Sequence, residues 1–407
     1  MAHEGEKRYL VSDCDLGEEE AQAVADVVRS KWLSVGPRTA DFEAAFAEHT
    51  QGNLTEPPHT VAVANCTAAL HLALLAVGVE PGDEVLVPSY TFVASANAIL
   101  YCGATPVFVD IHGPGDLNLD LDDLEKKITP NTKAVVAVHM CGFPVDMDRL
   151  MVLSETHGFK VVEDACHGIG ATYAGGPGSG STFLGQKIGT IGHAGCFSFF
   201  ANKNLVTGEG GMVVSRDENI ARHIRLGRSH GMTKTSWDKA SGRAHGYDVV
   251  QLGFNYRGTE LTAAMGMIQL RKLKANNDKR RALVARYRER LAALAPTLPL
   301  TVPFAERLED SAHHVFAVVL DDPGLVTPLR EALTTRGIQT THHYPPVHTF
   351  SHYRQFVGEI DLPKTMEVSA REVTLPLHPL LEISDIDAIV ERLAECFLGL
   401  IVKTEGT

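Results

Sequence analysis

Short runs that are apolar at nearly every position alternate with helix-forming runs through the first half of the chain. HTVAVA at 59–64 precedes a helix former at 68–75, and EVLVP at 84–88 precedes one at 91–102. TPVFVDI at 105–111 precedes a helix near 121–128, KAVVAVHM at 133–140 precedes one at 146–157, and FKVVEDAC follows at 159–166. A strand that is apolar on both faces has no side to give to water. Helices between such strands make them parallel, because a parallel return needs a long crossover. CFSFF at 196–200 and GGMVVS at 210–215 read as further strands. The pattern predicts an α/β fold with a mostly parallel central sheet flanked by helices, whose ligands sit at the carboxyl ends of the strands.

From Thr259 a helical pattern runs to about Leu294, apolar at first and then strongly basic. It reads as a helix that turns from buried to solvated while passing between domains. This gives a large domain over 1–270, including the N-terminal segment, and a smaller C-terminal α+β domain over 271–407. In the second, 313–320 reads as a strand, 327–336 as a helix, 338–346 as extended and 384–398 as a last helix. The stretch AGGPGSGSTFLG at 174–185 reads as a flexible loop.

Composition excludes several classes. Of the 407 residues 44% are hydrophobic and 21% charged, which is globular. No apolar run reaches the roughly 20 residues of a membrane span. The net charge of −13 disfavours nucleic acid as a partner. The start, MAHEGEKRYLVSDCD, has no apolar leader region, so a cytoplasmic protein is expected. The seven cysteines are scattered without a C-x-x-C, which points to reduced thiols and predicts no metal site.

Two segments carry candidate chemistry. Val161-Val162-Glu163-Asp164-Ala165-Cys166-His167 places a carboxylate at the end of a buried strand. Phe197-Ser198-Phe199-Phe200-Ala201-Asn202-Lys203 leaves a strand, passes one lysine and runs on to a glycine-rich turn at 208–211. A lysine near apolar walls can lose its proton and form a Schiff base with an aldehyde. A carboxylate can hold a pyridine nitrogen protonated, which makes the ring an electron sink. Lys203 and Asp164 are thus the pair that pyridoxal phosphate requires. Its phosphate needs an anion site, and Asn65-Cys66-Thr67 lies where a strand gives way to a helix N-terminus. Ser198 offers a second hydroxyl, and Phe92 an aromatic face for the ring.

Four runs, in order, resemble the DegT/DnrJ/EryC1/StrS family of pyridoxal-phosphate sugar aminotransferases, a branch of the fold type I (aspartate aminotransferase-like) enzymes. They are 67–111, VVEDACHGIGATY at 161–173, KNLVTGEGGMVV at 203–214 and GFNYRGTELTAAMGMIQL at 253–270. The resemblance implies a seven-stranded central sheet and a homodimer with shared active sites. It implies Lys203 as the Schiff-base lysine and proton shuttle, Asp164 beside the pyridine nitrogen and His167 near the ring hydroxyl. Cys66, Thr67 and Ser198 match the phosphate cup, Phe92 the ring cover, and Asn255 the residue that reaches the neighbouring subunit's cofactor. The cup commonly reads Ser-Gly-Thr, and Asn65-Cys66-Thr67 departs from it.

The implied reaction moves an amino group from glutamate or glutamine to a ketosugar, most readily a nucleotide-linked one, in amino-sugar biosynthesis for an antibiotic or polysaccharide. Pyridoxamine phosphate is the intermediate cofactor form. A cyclitol ketone is the alternative acceptor. A pyridoxamine-dependent sugar dehydratase would lack the lysine found at 203, and a non-catalytic regulator on this fold would be expected to lose Lys203 or Asp164. Lys187, Arg228, His230, Arg257 and His342 are the candidate substrate contacts. Residues 175–182 nearly spell an ATPase phosphate loop but carry Ser181 where the lysine belongs. His342 and His343, adjacent on a strand, would point to opposite faces and could not chelate together.

Overall fold

A computed structural model describes residues 7–175, 180–243, 245–295, 298–307 and 311–405. Seven strands form the central sheet: β1 (His59–Val63), β2 (Glu84–Pro88), β3 (Thr105–Val109), β4 (Thr132–Val138), β5 (Lys160–Asp164), β6 (Ala194–Ser198) and β7 (Gly211–Ser215). Their order is β1-β7-β6-β5-β4-β2-β3. All pairings are parallel except the two made by β7. Every strand and helix expected in 59–215 is present, to within a few residues at each end.

Alternation along the strands fills a core on each side of the sheet. Val61, Val63, Val85, Val87, Val136 and Val162 pack on one face with the helices Cys66–Ala76 and Val93–Tyr101. Ala62, Leu86, Val135, Ala137 and Val161 pack on the other with Phe42, Phe46 and Leu150. Strands buried on both sides cannot slip by one residue without exchanging their two faces, so the register is fixed. Registers Val63↔Gly211, Ser198↔Gly211, Asp164↔Cys196 and Val138↔Asp164 then bring Ser198 and Asp164 to one edge.

The helix Glu260–Leu294 runs for 35 residues from the cap Thr259, whose side chain accepts from the Thr262 amide. Its first half contributes Ala263 and Leu273 to the sheet core. Its basic second half is not solvated as the sequence suggested. Leu283, Val284, Tyr287 and Leu291 form a buried stripe on a third core, with β9 (Phe316–Leu320), β10 (Glu372–Leu375) and the helix Ile383–Glu405. These strands and β8 (Leu300–Thr301) make a small antiparallel sheet. Arg280 is 2% exposed and donates to the carbonyls of Leu377 at 2.9 Å and His314 at 3.2 Å. A run of arginines therefore hid a helix face that is apolar at i, i+1, i+4 and i+8.

Tyr9 joins this third core, and its amide donates to the Gly337 carbonyl at 2.8 Å. Residues 338–346 are not a strand; within them only isolated bridges form, Ile338 to Tyr9 and Thr341 to Thr374. The third strand is β10, which the sequence reading missed. Among the described residues no helix is long and apolar enough to cross a membrane.

Candidate active site

A cavity of about 640 Å³ opens at the carboxyl edge of the sheet. Its wall includes Cys66, Thr67, Phe92, Asp164, His167, Ser198, Lys203 and His342. These come from five separate stretches of chain. The sheet brings the first four together because each leaves a strand at the same edge, and the segment holding His342 closes over them.

Asp164 ends β5. Its neighbour Glu163 points to the opposite face, where it takes the amides of Gly189, Ile191 and Gly192 and faces His139 at 2.9 Å. That network anchors the strand end that carries Asp164. Ser95 donates to Asp164 Oδ2 at 2.8 Å, and the Cys166 amide reaches Oδ1 at 3.3 Å. The Cys166 thiol also bonds Oδ1. One carboxylate is thus held in a fixed orientation on a buried wall.

Burial pushes the Lys203 ammonium below its ordinary pKa; the Cys166 thiol and Asp164 oppose that only in part. A hydrogen-bond chain sets its partner. Asn204 Nδ2 donates to Asn277 Oδ1 at 2.9 Å and to the Ala312 carbonyl at 2.7 Å. Its Oδ1 therefore accepts from His314 Nδ1 at 3.1 Å. Nε2 of His314 is left as the lone-pair nitrogen, 3.3 Å from Lys203 Nζ. Burial and the nearby lysine hold His314 well below its usual pKa, so the ring is neutral and Lys203 donates to it.

The helix Cys66–Ala76 points its N-terminus at the cavity. First-turn amides have no partner within a helix; the Asn65 side chain accepts that of Ala68 at 2.9 Å. Thr67 and Ser198 add hydroxyls beside this turn. The turn lies against β7 so closely that a Cβ at Gly211 would meet the Asn65 carbonyl carbon at 2.6 Å. Across the cavity Tyr344 Oη is 3.0 Å from His167 Nε2. Two buried atoms on the lining residues, His167 Nδ1 and Asn202 Oδ1, have no partner among the described residues. The site therefore combines a fixed carboxylate, a lysine biased toward neutrality, an anion-binding helix end and unused polar atoms.

The model of the DegT/DnrJ/EryC1/StrS aminotransferase family matches residues 14–394. The chain belongs to this family. Its members are pyridoxal-phosphate-dependent aminotransferases, and the donor set just described fits that cofactor. The spore coat polysaccharide biosynthesis protein SpsC of Bacillus subtilis is 37% identical over 391 residues, 94% of this chain and 96% of SpsC. The structure of the aminotransferase TlmJ from Streptoalloteichus hindustanus is similar at a TM-score of 0.85 and 33% identity, covering 97% of this chain and all of TlmJ. That of DesI, solved in the presence of its TDP-sugar product, aligns at 0.82 and 29%, covering 98% of this chain and 96% of DesI. The family relation and these likenesses make the protein a sugar aminotransferase.

Other residues expected at the site of this DegT-family protein stand elsewhere in the chain. Asn255 is exposed, in a bridge with Ser229, and does not line the cavity. Arg228, 5% exposed, bonds Glu43 and the Ala62 carbonyl, a structural ion pair rather than a substrate contact. Lys187 donates to Thr172 Oγ1 at 2.9 Å, and Arg257 to Ser229 Oγ at 3.2 Å. His230 is exposed, and its amide donates to the Phe254 carbonyl. In the loop 174–185, residues 176–179 lie outside the described residues. The described part does not rim the cavity: Ser181 bonds Asp148 at 2.7 Å, and the Leu184 carbonyl accepts from Asn53.

His342 does line the cavity, and so does His343, because the segment is not a strand. Their outer contacts are Ser369 and Thr374. Sequence reasoning missed Ser95, Cys166, His314, His343 and Tyr344. Cys166 sits inside the run read for Asp164 and His167 and was there to be found. Nothing in the spacing of His314, 111 residues from Lys203, pointed to the site.

Proposed function

We propose that the protein transfers the amino group of glutamate or glutamine to a ketosugar carried on a nucleoside diphosphate. The observation that carries this reading is the meeting of Lys203 and Asp164 in one cavity, beside a helix N-terminus and two hydroxyls. When bound, pyridoxal phosphate supplies an electron sink for the carbanion that forms as a proton leaves the amino-bearing carbon. Asp164, oriented by Ser95, would face the ring nitrogen and keep it protonated. Thr67, Ser198 and the amides at Cys66 and Thr67 would hold the phosphate. His167 would flank the ring hydroxyl and Phe92 would cover one face. Lys203, its basicity lowered by burial, would present Nζ to the cofactor's aldehyde and would move the proton at the amino-bearing carbon. His314 Nε2 accepts from that amine and aims it.

The nucleotide-linked acceptor is supported by DesI, the structural neighbour solved with a TDP-sugar product. The family relation also supports a homodimer with shared sites. Phe92 at the cavity mouth is 58% exposed and Leu252, near Asn255, is 83% exposed, surfaces that a second copy would cover. Asn255 would then act on the partner's cofactor. The deciding experiment offers the pyridoxamine form of the protein to a panel of nucleotide-linked ketosugars, free ketosugars and cyclitol ketones and follows the return of the pyridoxal absorbance. Return with nucleotide-linked ketosugars is the expected result. Return with a cyclitol ketone alone would replace the acceptor and leave the aminotransferase chemistry standing.

A further inference from the structure

Two thiols and a carboxylate from distant parts of the chain meet on the cavity wall. Cys66 opens its helix, Asp164 ends β5, and Cys166 lies just beyond it. The two Sγ atoms are 3.8 Å apart, and one ligand atom from each of the three residues falls within 4.8 Å of the others. Both cysteines are free.

That spacing has a chemical meaning. Zinc binds thiolates at about 2.3 Å in tetrahedral geometry, which sets two sulfurs on one ion about 3.8 Å apart. A disulfide would need about 2.05 Å. The pair stands in thiol–thiol contact, too far apart for a bridge and at a separation that two ligands of one ion also keep. Ser95 ties Asp164 Oδ2 and leaves Oδ1 on the side of the Cys166 thiol, the kind of outer hydrogen bond that orients metal ligands. All three residues line the cavity, so a fourth coordination position opens into it.

We propose that the protein, while free of its cofactor, binds a soft divalent cation of the zinc class on Cys66, Cys166 and Asp164, and that this cation and pyridoxal phosphate exclude each other. The exclusion rests on the reading of Asp164 as the ring-nitrogen partner; the cation site does not. Binding breaks two S–H bonds, forms two metal–sulfur bonds and releases two protons to water, with no change of oxidation state. By linkage, a cation at about 100 times its Kd weakens cofactor binding about 100-fold.

Cobalt(II) titrated into the full chain stripped of cofactor tests this through its thiolate charge-transfer absorption. The band is expected in the wild type and bleached by added pyridoxal phosphate. Cys66→Ser and Cys166→Ser should each weaken cobalt binding by at least roughly 100-fold, since losing even an outer hydrogen bond to a ligand costs 10–100-fold. Circular dichroism establishes that each variant is folded. A wild-type protein that takes up pyridoxal phosphate but gives no thiolate–cobalt band overturns the cation site and leaves the cofactor reading intact. A band insensitive to both serine changes overturns it equally. A band that survives full cofactor loading overturns the exclusion, and a band with no cofactor uptake at all supports the site while refuting the cofactor reading and the exclusion with it.

Discussion

The wall of the cavity drawn from residues 65–203 and the wall drawn from residues 314–344 reach the same space by different physical routes. On the first, each side chain stands where a strand of the central sheet ends, so sheet register alone sets its place. Asp164 and Ser198 lie at one edge because β5 pairs with β6 and β6 with β7. On the second wall, His314, His343 and Tyr344 sit in connecting segments outside regular structure. They are fixed by individual hydrogen bonds and not by register: His314 to Asn204 and Lys203, His343 to Thr374 and Glu372, and Tyr344 to His167. The first wall carries the charged and nucleophilic groups, and the second supplies neutral partners. Burial drives His343 down to about 3 and holds His314 well below its usual range.

If this division is right, damage to the first wall should cost most. Lys203→Ala is expected to abolish transamination, since both the aldehyde-binding amine and the proton carrier are lost. Amino transfer followed by product assay checks it, and near-normal turnover would end the proposed mechanism. Asp164→Asn should keep the fold and slow turnover by orders of magnitude, because an amide cannot stabilise a protonated pyridine. A drop of less than about tenfold, roughly 1.4 kcal/mol in the barrier, would show that Asp164 is not the ring partner.

The second wall should tune and not abolish. Lys203 reacts with an aldehyde only as the neutral amine, and burial has lowered its pKa from 10.5. Cofactor capture by the stripped protein should therefore rise with pH through a midpoint below that of an ordinary lysine, read from the absorbance change. His314→Phe removes the acceptor for Nζ and leaves the ammonium still less supported, so the midpoint should move further down. Turnover should fall by about tenfold, in line with roughly 1–2 kcal/mol for a lost buried partner. An unmoved midpoint would reduce His314 to packing.

The same division explains what could be read in the sequence. Seven strands and the helices between them were legible because burial on both faces writes a continuous apolar run into 59–63, 84–88 and 132–138. Lys203 and Asp164 were legible because each follows such a strand closely. The basic half of Glu260–Leu294 was misread because arginine stems leave a buried stripe interrupted in sequence, and Arg280 satisfies its charge on backbone carbonyls. The strand β10 carries Glu372 and Thr374 at buried positions, which broke the apolar pattern. His314 and Tyr344 left no trace because nothing local dictates where a loop residue lands. Arg228 looked like a substrate contact because its charge was visible and its partner Glu43, 185 residues away, was not.

Glu372 offers the smallest effect on turnover and the sharpest check on the second wall. It lies on β10, accepts from the His343 amide at 2.9 Å and from Thr374 Oγ1, and so connects the small sheet to the histidine segment. Burial pushes its pKa up from 4.5 to about 8. The folded protein therefore keeps a proton on Glu372 that the unfolded chain has already lost. A carboxyl raised in this way contributes stability that is complete below pH 4.5 and is lost as pH rises toward about 8. The slope is at most roughly 1.4 kcal/mol per pH unit inside that window and zero outside it. Glu372→Gln keeps the shape and a neutral side chain, so its stability should lack this component, and the gap between variant and wild type in urea melts should shift in the variant's favour from pH 5 to about pH 8. A parallel pH dependence in both proteins would mean that Glu372 is charged in the fold, and that the wall it supports is not held by neutral groups alone.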